Sequence, residues 1–330
     1  MRNPSPLPWQ LGWRSFTVEE ARTAGLSPKR VRAQDLQSPG RGVRTPRQAP
    51  PNLLEECRAF TTVVPNGVVS HATAARLHGL FLPPRLEGMT GLDLARRIGE
   101  PKPRRAGMRG HLLLFGAGDI VMLQGVPVTS VQRTLEDLAP LLGIDELVDM
   151  ADQIVCEHHR SFGPPKEAMV PLPRLQTYVA LHAGSRGMRR LRAALELVRV
   201  GSDSPPETRL RLIIMRSPLP EFETNVEILD ESGRGIVAPD LACRKYRTCA
   251  EYDGGHHFTP GQQSRDHDRD YITRSVGWHQ VPINKDDMKA GERVVVSKIA
   301  RMLVVAGWPD PQGLAGRSLE GLLNTRKDHC

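Results

Sequence analysis

The chain lacks the features that would place it most quickly: paired cysteines, long apolar runs and the common phosphate or nucleophile loops. Its five cysteines, Cys57, Cys156, Cys243, Cys249 and Cys330, are an odd set without a CxxC pair. That argues against a disulfide framework or a zinc knuckle and leaves reduced, mostly buried thiols as the expectation. The longest apolar stretch, "HLLLFGAGDIVML", is interrupted by Asp119 and is too short to span a bilayer. The opening "MRNPSPLPWQ" has no apolar centre of the signal-peptide kind, so a cytoplasmic chain without a membrane partner is expected. No GxSxG elbow, GxxxxGK[ST] loop or GxGxxG turn occurs, which leaves serine-elbow, ATP-driven and nicotinamide chemistry without support.

What is present is enough residues for a sizeable core and a surplus of positive charge. The length of 330 residues allows two or three domains. Forty-five Lys and Arg against 37 Asp and Glu give a net charge of +8, which makes nucleic acid the first partner to test. The surplus is concentrated at the start, where residues 1–50 carry nine Lys or Arg against three acids. In "SFTVEEARTAGLSPKRVRAQDLQSPGRGVRTP", Thr17 opens a capping pattern, Gly25 breaks the helix, and Ser27-Pro28 restarts one. Two short helices with a Gly turn suggest helix-turn-helix, with Lys29, Arg30 and Arg32 as nucleic-acid contacts and "SPGRGVR" as a wing. A solvated basic helix pair used for packing fits the same spacing.

The joint "RQAPPN" leads into a middle region whose helices are marked by "VVSHATAARLHGL" and "SVQRTLEDLAPLLGIDELVDMADQIV". Leu135, Leu138, Leu142, Leu147 and Ile154 recur at near-helical spacing and belong to a core. His71 and His78, seven residues apart, are too widely spaced for one metal ion and are assigned no chemistry. Arg96, Arg97, Lys102, Arg104, Arg105 and Arg109 make a basic, Pro- and Gly-bearing loop, with phosphate contact as the alternative reading. Expected domains are 1–50, 51–200 and 201–308, followed by a tail over 309–330. The expected fold class is mixed α/β and α+β in several domains.

"SPPETRLRLIIM" reads as a helix start, with Ser204 as cap and Glu207 in capping-box position. The stretch that follows alternates like strands, turning at "DESGRG" and "RKYR". Asp240 falls on one strand, Glu251 near the end of the next, and Asp253 two residues on, along the same face. Acids gathered at strand ends suit Mg²⁺, or else are exposed and paired with Arg244, Lys245 and Arg247. His279, His267, Cys249, His256 and His257 have no ligand-like spacing, so a zinc site is rejected.

Taken in order, "SPPETRLRL", "APDLACRKYRTCAEYDGGHH" and "RDHDRDYITRSVGW" resemble the DUF559 domain of actinobacterial proteins, over residues 200–305. That domain is a branch of the PD-(D/E)XK restriction-endonuclease-like superfamily, related to very-short-patch-repair endonucleases. Upstream, "TVEEARTAGLS", "RGVR", "VVSHATAARLHGL" and "VTSVQRTLEDLA" are similar to the abortive-infection type IV antitoxin family, which joins a winged helix-turn-helix to a mixed α/β domain and acts in transcriptional autoregulation. The resemblance implies a restriction-endonuclease-like mixed sheet flanked by helices, with Glu207 as the helix acid, Asp240 and Glu251 as ligands of Mg²⁺ or Mn²⁺, and His257, or else His256, as general base. It also implies that Asp266 and Arg269 occupy recurrent positions, with Arg269 reaching a phosphate.

Two departures bear on activity. Asp253 stands where the superfamily has a lysine, and Pro282 stands where a family arginine is usual. Proline also predicts a bulged or edge strand. Two functions are therefore expected to compete. One is a metal-dependent DNA endonuclease. The other is a non-catalytic antitoxin-type regulator whose nuclease-like fold serves binding or dimerisation, with an unknown toxin as partner.

Overall fold

The computed structural model describes residues 4–162, 164–182, 184–254 and 271–316. It is a mixed α/β protein folded into two compact units, one within residues 1–147 and 177–191, the other within 148–176 and 192–330.

The first unit begins with a small sheet, β1 (Phe16–Thr17), β3 (Val43–Pro46) and β2 (Leu36–Gln37), all antiparallel. Helix α1 (Val18–Thr23) starts as the sequence predicts. The Thr17 hydroxyl accepts the Glu20 N–H at 3.0 Å, and Glu20 accepts the Thr17 N–H at 2.7 Å, a reciprocal cap worth about 1 kcal/mol. The expected second helix is shorter than its signals suggest: only a 3-10 turn, Arg30–Arg32, forms before the chain extends. Leu11, Phe16, Ala21, Val31 and Leu36 make a local core.

Helix α2 (Leu53–Val63) packs Cys57 and Phe60 beneath Val43 and against a five-stranded mixed sheet. That sheet contains β4 (Val68–Val69), β5 (Leu92–Arg97), β6 (Met108–Leu113), β7 (Ile120–Leu123) and β8 (Val126–Thr129), in the order β6-β5-β4-β8-β7. Strands β5 and β6 run parallel. The basic stretch is therefore not one loop: Arg96 and Arg97 lie on β5, Arg109 lies on β6, and the residues between form the crossover. Helices α3 (His71–His78) and α5 (Val131–Leu138) pack on each other, with Leu135 and Leu138 fully buried.

The second unit is organised by the buried Asp152 on α6 (Ile144–Val155). Its carboxylate accepts the Arg199 N–H at 2.9 Å, the Thr208 hydroxyl at 2.9 Å and the Arg211 guanidinium at 2.6 Å. Charge-assisted bonds of this kind are strong once water is excluded, and they fix the N-terminal half of α9 (Pro205–Met215). Strands β9 (Ile228–Leu229) and β10 (Gly235–Val237) pair through the expected Asp230 turn. Strands β11 (Leu241–Cys243) and β12 (Thr248–Asp253) form the second predicted hairpin, and β13 (His279–Asn284) lies parallel beside β12. Pro282 sits on β13, an edge of this three-stranded sheet, where a missing N–H is tolerated. One face carries Leu210, Ile214, Ala250, Val281, Ile283 and the C-terminal helix Glu292–Val305; the other carries Val226, Ile228, Ala242 and Cys249.

No described helix is long and apolar enough to cross a membrane. Cys57, Cys156, Cys243 and Cys249 are free and buried, as the sequence leads one to expect.

Candidate functional site

In the second unit Glu207, at the start of α9, lies near enough to Asp240 to feel its charge, and Asp240 and Glu251 stand at the open end of the β11-β12 hairpin. Leu241 pairs with Ala250, so the next residue outward on each strand is Asp240 on one side and Glu251 on the other. Asp240 lies on the bend just before β11 rather than on the strand itself. From there its carboxylate accepts the Tyr252 N–H at 2.8 Å. Glu251 shares a sheet face with Cys249 and Asp253 by the period-2 rule, and it accepts the Gln280 side-chain amide at 2.8 Å. Asp253 is exposed at the end of the strand.

Glu207 approaches from α9. Its two carboxylate oxygens accept the Asp203 N–H and the Ser204 hydroxyl, each at 2.7 Å. Ser204 occupies the cap position but does not cap by its side chain: its hydroxyl donates to Glu207 instead of accepting a backbone N–H. The capping-box reading of Glu207 is therefore corrected in detail, because the acid bonds Asp203 one residue earlier. Burial and the neighbouring charge of Asp240 push its carboxyl up to about 7. Two neutral donors do not offset those effects.

Cations near these acids come from a segment the sequence reading did not connect with them. His158 and Lys166 pair backbone to backbone, each N–H bonding the other carbonyl at 3.0 Å. The short hairpin directs the Lys166 ammonium to Asp203, with the Arg160 guanidinium at 3.9 Å. Asp203 in turn gives its N–H to Glu207. No spacing signal in the sequence links 158–166 to 203–207. A cavity of about 450 Å³ in the same unit, lined by residues including Arg211, Met215, Phe222 and Glu223, contains none of the predicted acids.

Among the described residues, no group of three or more His, Cys, Asp or Glu is gathered so as to hold a metal ion. His256, His257, Asp266, His267 and Arg269 lie outside the described residues, as do 317–330 of the expected tail; its first part is described and packs Leu314 into the core of the second unit.

The predicted nucleic-acid contacts of the first unit separate into two kinds. Lys29 and Arg32 are exposed. Arg30 is buried: its guanidinium holds Asp35 through two bonds of 2.9 and 2.7 Å and the Ser5 carbonyl through a third. A guanidinium spent in this way locks the 3-10 turn and is not presented to a phosphate.

The first unit also holds a polar cluster that sequence spacing did not reveal. Asp93 on β5 accepts two bonds of 2.8 Å from Arg109 and one of 3.0 Å from His111, both on β6. The His71 ring stacks on His111 at 3.8 Å. His71 has φ of +49°, an unusual backbone for a non-glycine residue at a helix start. Burial and the His111 neighbour push its imidazole down to about 3. Nearby, the buried Arg133 joins Asp119 and Asp137 at 2.8 and 2.9 Å.

No family model matches the chain. It is 29% identical over 130 residues to two proteins described as uncharacterized, MT2308 and Rv2248, from two strains of Mycobacterium tuberculosis. The match takes in 39% of this chain and 48% of each relative, so the chain spans about half the length of the curated relatives it matches. The crystal structure of the RV2827C protein from Mycobacterium tuberculosis aligns with 56% of this chain and 71% of its own, at 16% identity and a TM-score of 0.36.

Proposed function

We propose that the second unit is a metal-dependent phosphodiesterase acting on DNA, in the manner of the DUF559 and PD-(D/E)XK resemblance. The basic first unit, similar to antitoxin-type winged helix-turn-helix proteins, holds the substrate. The observation that carries this reading is geometric: the β11-β12 register sets Asp240 and Glu251 at the same end of the hairpin, and Glu207 at the start of α9 lies near enough to Asp240 to feel its charge. Like charges brought near one another at strand ends fit a hard divalent cation, which relieves them. Asp240 and Glu251 would hold Mg²⁺ or Mn²⁺, two carboxylates being the number Mg²⁺ commonly takes when waters and phosphate oxygens complete its shell. The ion, when bound, supplies an acidified water and a polarised phosphoryl group. Glu207 holds or releases a proton beside Asp240 near neutral pH, and the exposed Asp253, two residues beyond Glu251, would assist in placing the attacking water. The general-base role that the resemblance gives to His257, and the phosphate clamp it gives to Arg269, belong to this reading too.

The test is cleavage of supercoiled, linear and single-stranded DNA with Mg²⁺, Mn²⁺ or EDTA, beside the Asp240→Ala/Glu251→Ala variant. Metal-dependent nicking lost in that variant is the expected result.

A second reading has its own observation. Tyr252 N–H and the Gln280 amide already satisfy Asp240 and Glu251 in part, and no three-donor group forms among the described residues. Those facts favour a DNA-binding regulator on an inactive nuclease-like fold, in which the second unit serves dimerisation or a toxin partner. Metal-independent, salt-sensitive DNA binding without cleavage under any condition would select it.

A further inference from the structure

The turn 38–42 between β2 and β3 and the crossover loop 101–107 between β5 and β6 are far apart in sequence yet pressed together in the first unit. Two glycines make the approach possible. A Cβ on Gly40 would lie 2.4 Å from the Ala106 carbonyl oxygen, and one on Gly107 would lie 1.9 Å from that of Pro39. Gly107 also has φ of +81°, a backbone conformation that glycine adopts freely. Arg105 ties the two segments by donating to the Arg41 carbonyl at 3.0 Å.

The charge of this junction is one-sided. Neither 36–54 nor 101–118 contains an acidic residue. Three arginines of these stretches serve the fold: Arg44 and Arg47 donate to the carbonyls of Val31 and Gln34, and Arg109 holds Asp93. The other four cations have no such role, apart from the one bond that Arg105 gives the Arg41 carbonyl. Arg41, Lys102 and Arg104 are exposed and Arg105 is half-buried, and among the described residues none of the four forms an ion pair. Lys102, Arg104 and Arg105 line an open concavity of about 640 Å³.

Holding like charges together on a rigid backbone is unfavourable, and a polyanion with its own condensed counterions relieves it. The concavity is open and its cations are spread along it, which suits a repeating anion better than one small enclosed phosphate. Neither 38–42 nor 101–107 carries an aromatic residue on which a single-stranded base could stack. Neither 38–42 nor 101–107 carries a large exposed apolar side chain to enter a lipid surface.

We propose that Arg41, Lys102, Arg104 and Arg105 form a phosphate-backbone contact surface for duplex DNA, made jointly by the β2-β3 turn and the β5-β6 crossover. This rests on the DNA-directed reading above but not on cleavage. It shifts the main contact away from the 3-10 turn, where Arg30 is already engaged.

The experiment is fluorescence anisotropy of the full chain with a labelled 25-base-pair duplex, in EDTA, from 50 to 200 mM KCl. The variant Arg41→Gln/Lys102→Gln/Arg104→Gln/Arg105→Gln is compared with a charge-matched control in the other unit, Lys285→Gln/Lys289→Gln/Arg293→Gln/Arg301→Gln. The expected result is a loss of at least about tenfold in affinity at 100 mM salt, with a salt-dependence slope lower by about three, while the control stays within a factor of about two to three. A triple variant that keeps Arg105, and so the bond to Arg41, should show most of the loss and guards against misfolding of the junction. Equal loss in patch variant and control would overturn the proposal and leave the DNA reading intact. So would at least tenfold tighter binding of the unmodified chain to duplex RNA or to phosphatidylglycerol vesicles. Absence of any duplex binding at 50 mM KCl would overturn both.

Discussion

Asp93 in the first unit and Glu207 in the second are both largely buried acids, and their carboxyls are driven in opposite directions. Burial raises each. At Asp93, hydrogen bonds from His111 and Arg109 and the charge of Arg109 overcome burial and hold the carboxyl well below the usual range. At Glu207 the donors are a backbone N–H and a hydroxyl, and the neighbouring charge is Asp240, so the carboxyl rises to about 7. Burial pushes both carboxyls up; at Asp93 the cationic partner overcomes it, and at Glu207 the neighbouring Asp240 adds to it. An acid of the first kind cements a sheet. One of the second kind keeps unrelieved charge at a sheet edge, which is where ligand chemistry is worth seeking.

The sharpest way to break the contrast is to take the cation from Asp93. Arg109→Leu leaves a carboxylate only 3% exposed, without its guanidinium and with the His111 ring 3.0 Å away. Breaking a buried pair in this way should destabilise the first unit by about 3 to 5 kcal/mol. Hydrogen exchange of the β5 amides should report that loss, while protection of the β11 and β12 amides stays unchanged.

The opposite result is expected at Glu207. A raised carboxyl adds stability that is fully present below its unfolded pKa near 4.5 and is lost as pH rises through about 7. Glu207→Gln should therefore stabilise the second unit above pH 8 by up to about 3 kcal/mol and change little near pH 4. Denaturant titrations at those two pH values would measure it. Equal effects at both would show that the Glu207 carboxyl is not raised in the fold.

A smaller effect is expected at His71. Its imidazole stays neutral in the fold down to about pH 3 but protonates near 6.5 once unfolded. The stability it contributes is present above 6.5 and is lost as pH falls. His71→Gln should thus flatten the acid limb of first-unit stability by about 2 kcal/mol between pH 6.5 and 4.5, read by exchange of the same β5 amides.

Much of the local structure was legible in the chain. Thr17 with Glu20, the prolines of α9, the Asp230 turn and the β11-β12 alternation each act within a few residues, and all four are seen. Pro282 at a sheet edge follows from its missing N–H. The second N-terminal helix is shorter than its signals predict: Ser27 and Pro28 favour a start, but Arg30 finds Asp35 and the Ser5 carbonyl, and the chain turns out after three residues. Ser204 was misread for a related reason, since its hydroxyl had a better partner in the Glu207 carboxylate.

The sequence by itself determined where helices and hairpins begin, which acids stand at strand ends, and that positive charge gathers in 1–50 and 96–109. These follow from backbone geometry and from side chains a turn or a strand apart. Only the tertiary structure decided which charges are spent and which remain. Arg109 is consumed by Asp93, Arg30 by Asp35, and Lys166 by Asp203, whereas Arg41 and Arg105 are brought side by side by glycines at 40 and 107. A charge's state depends on what lies within a few ångströms of it, and those neighbours come from segments that no sequence period connects.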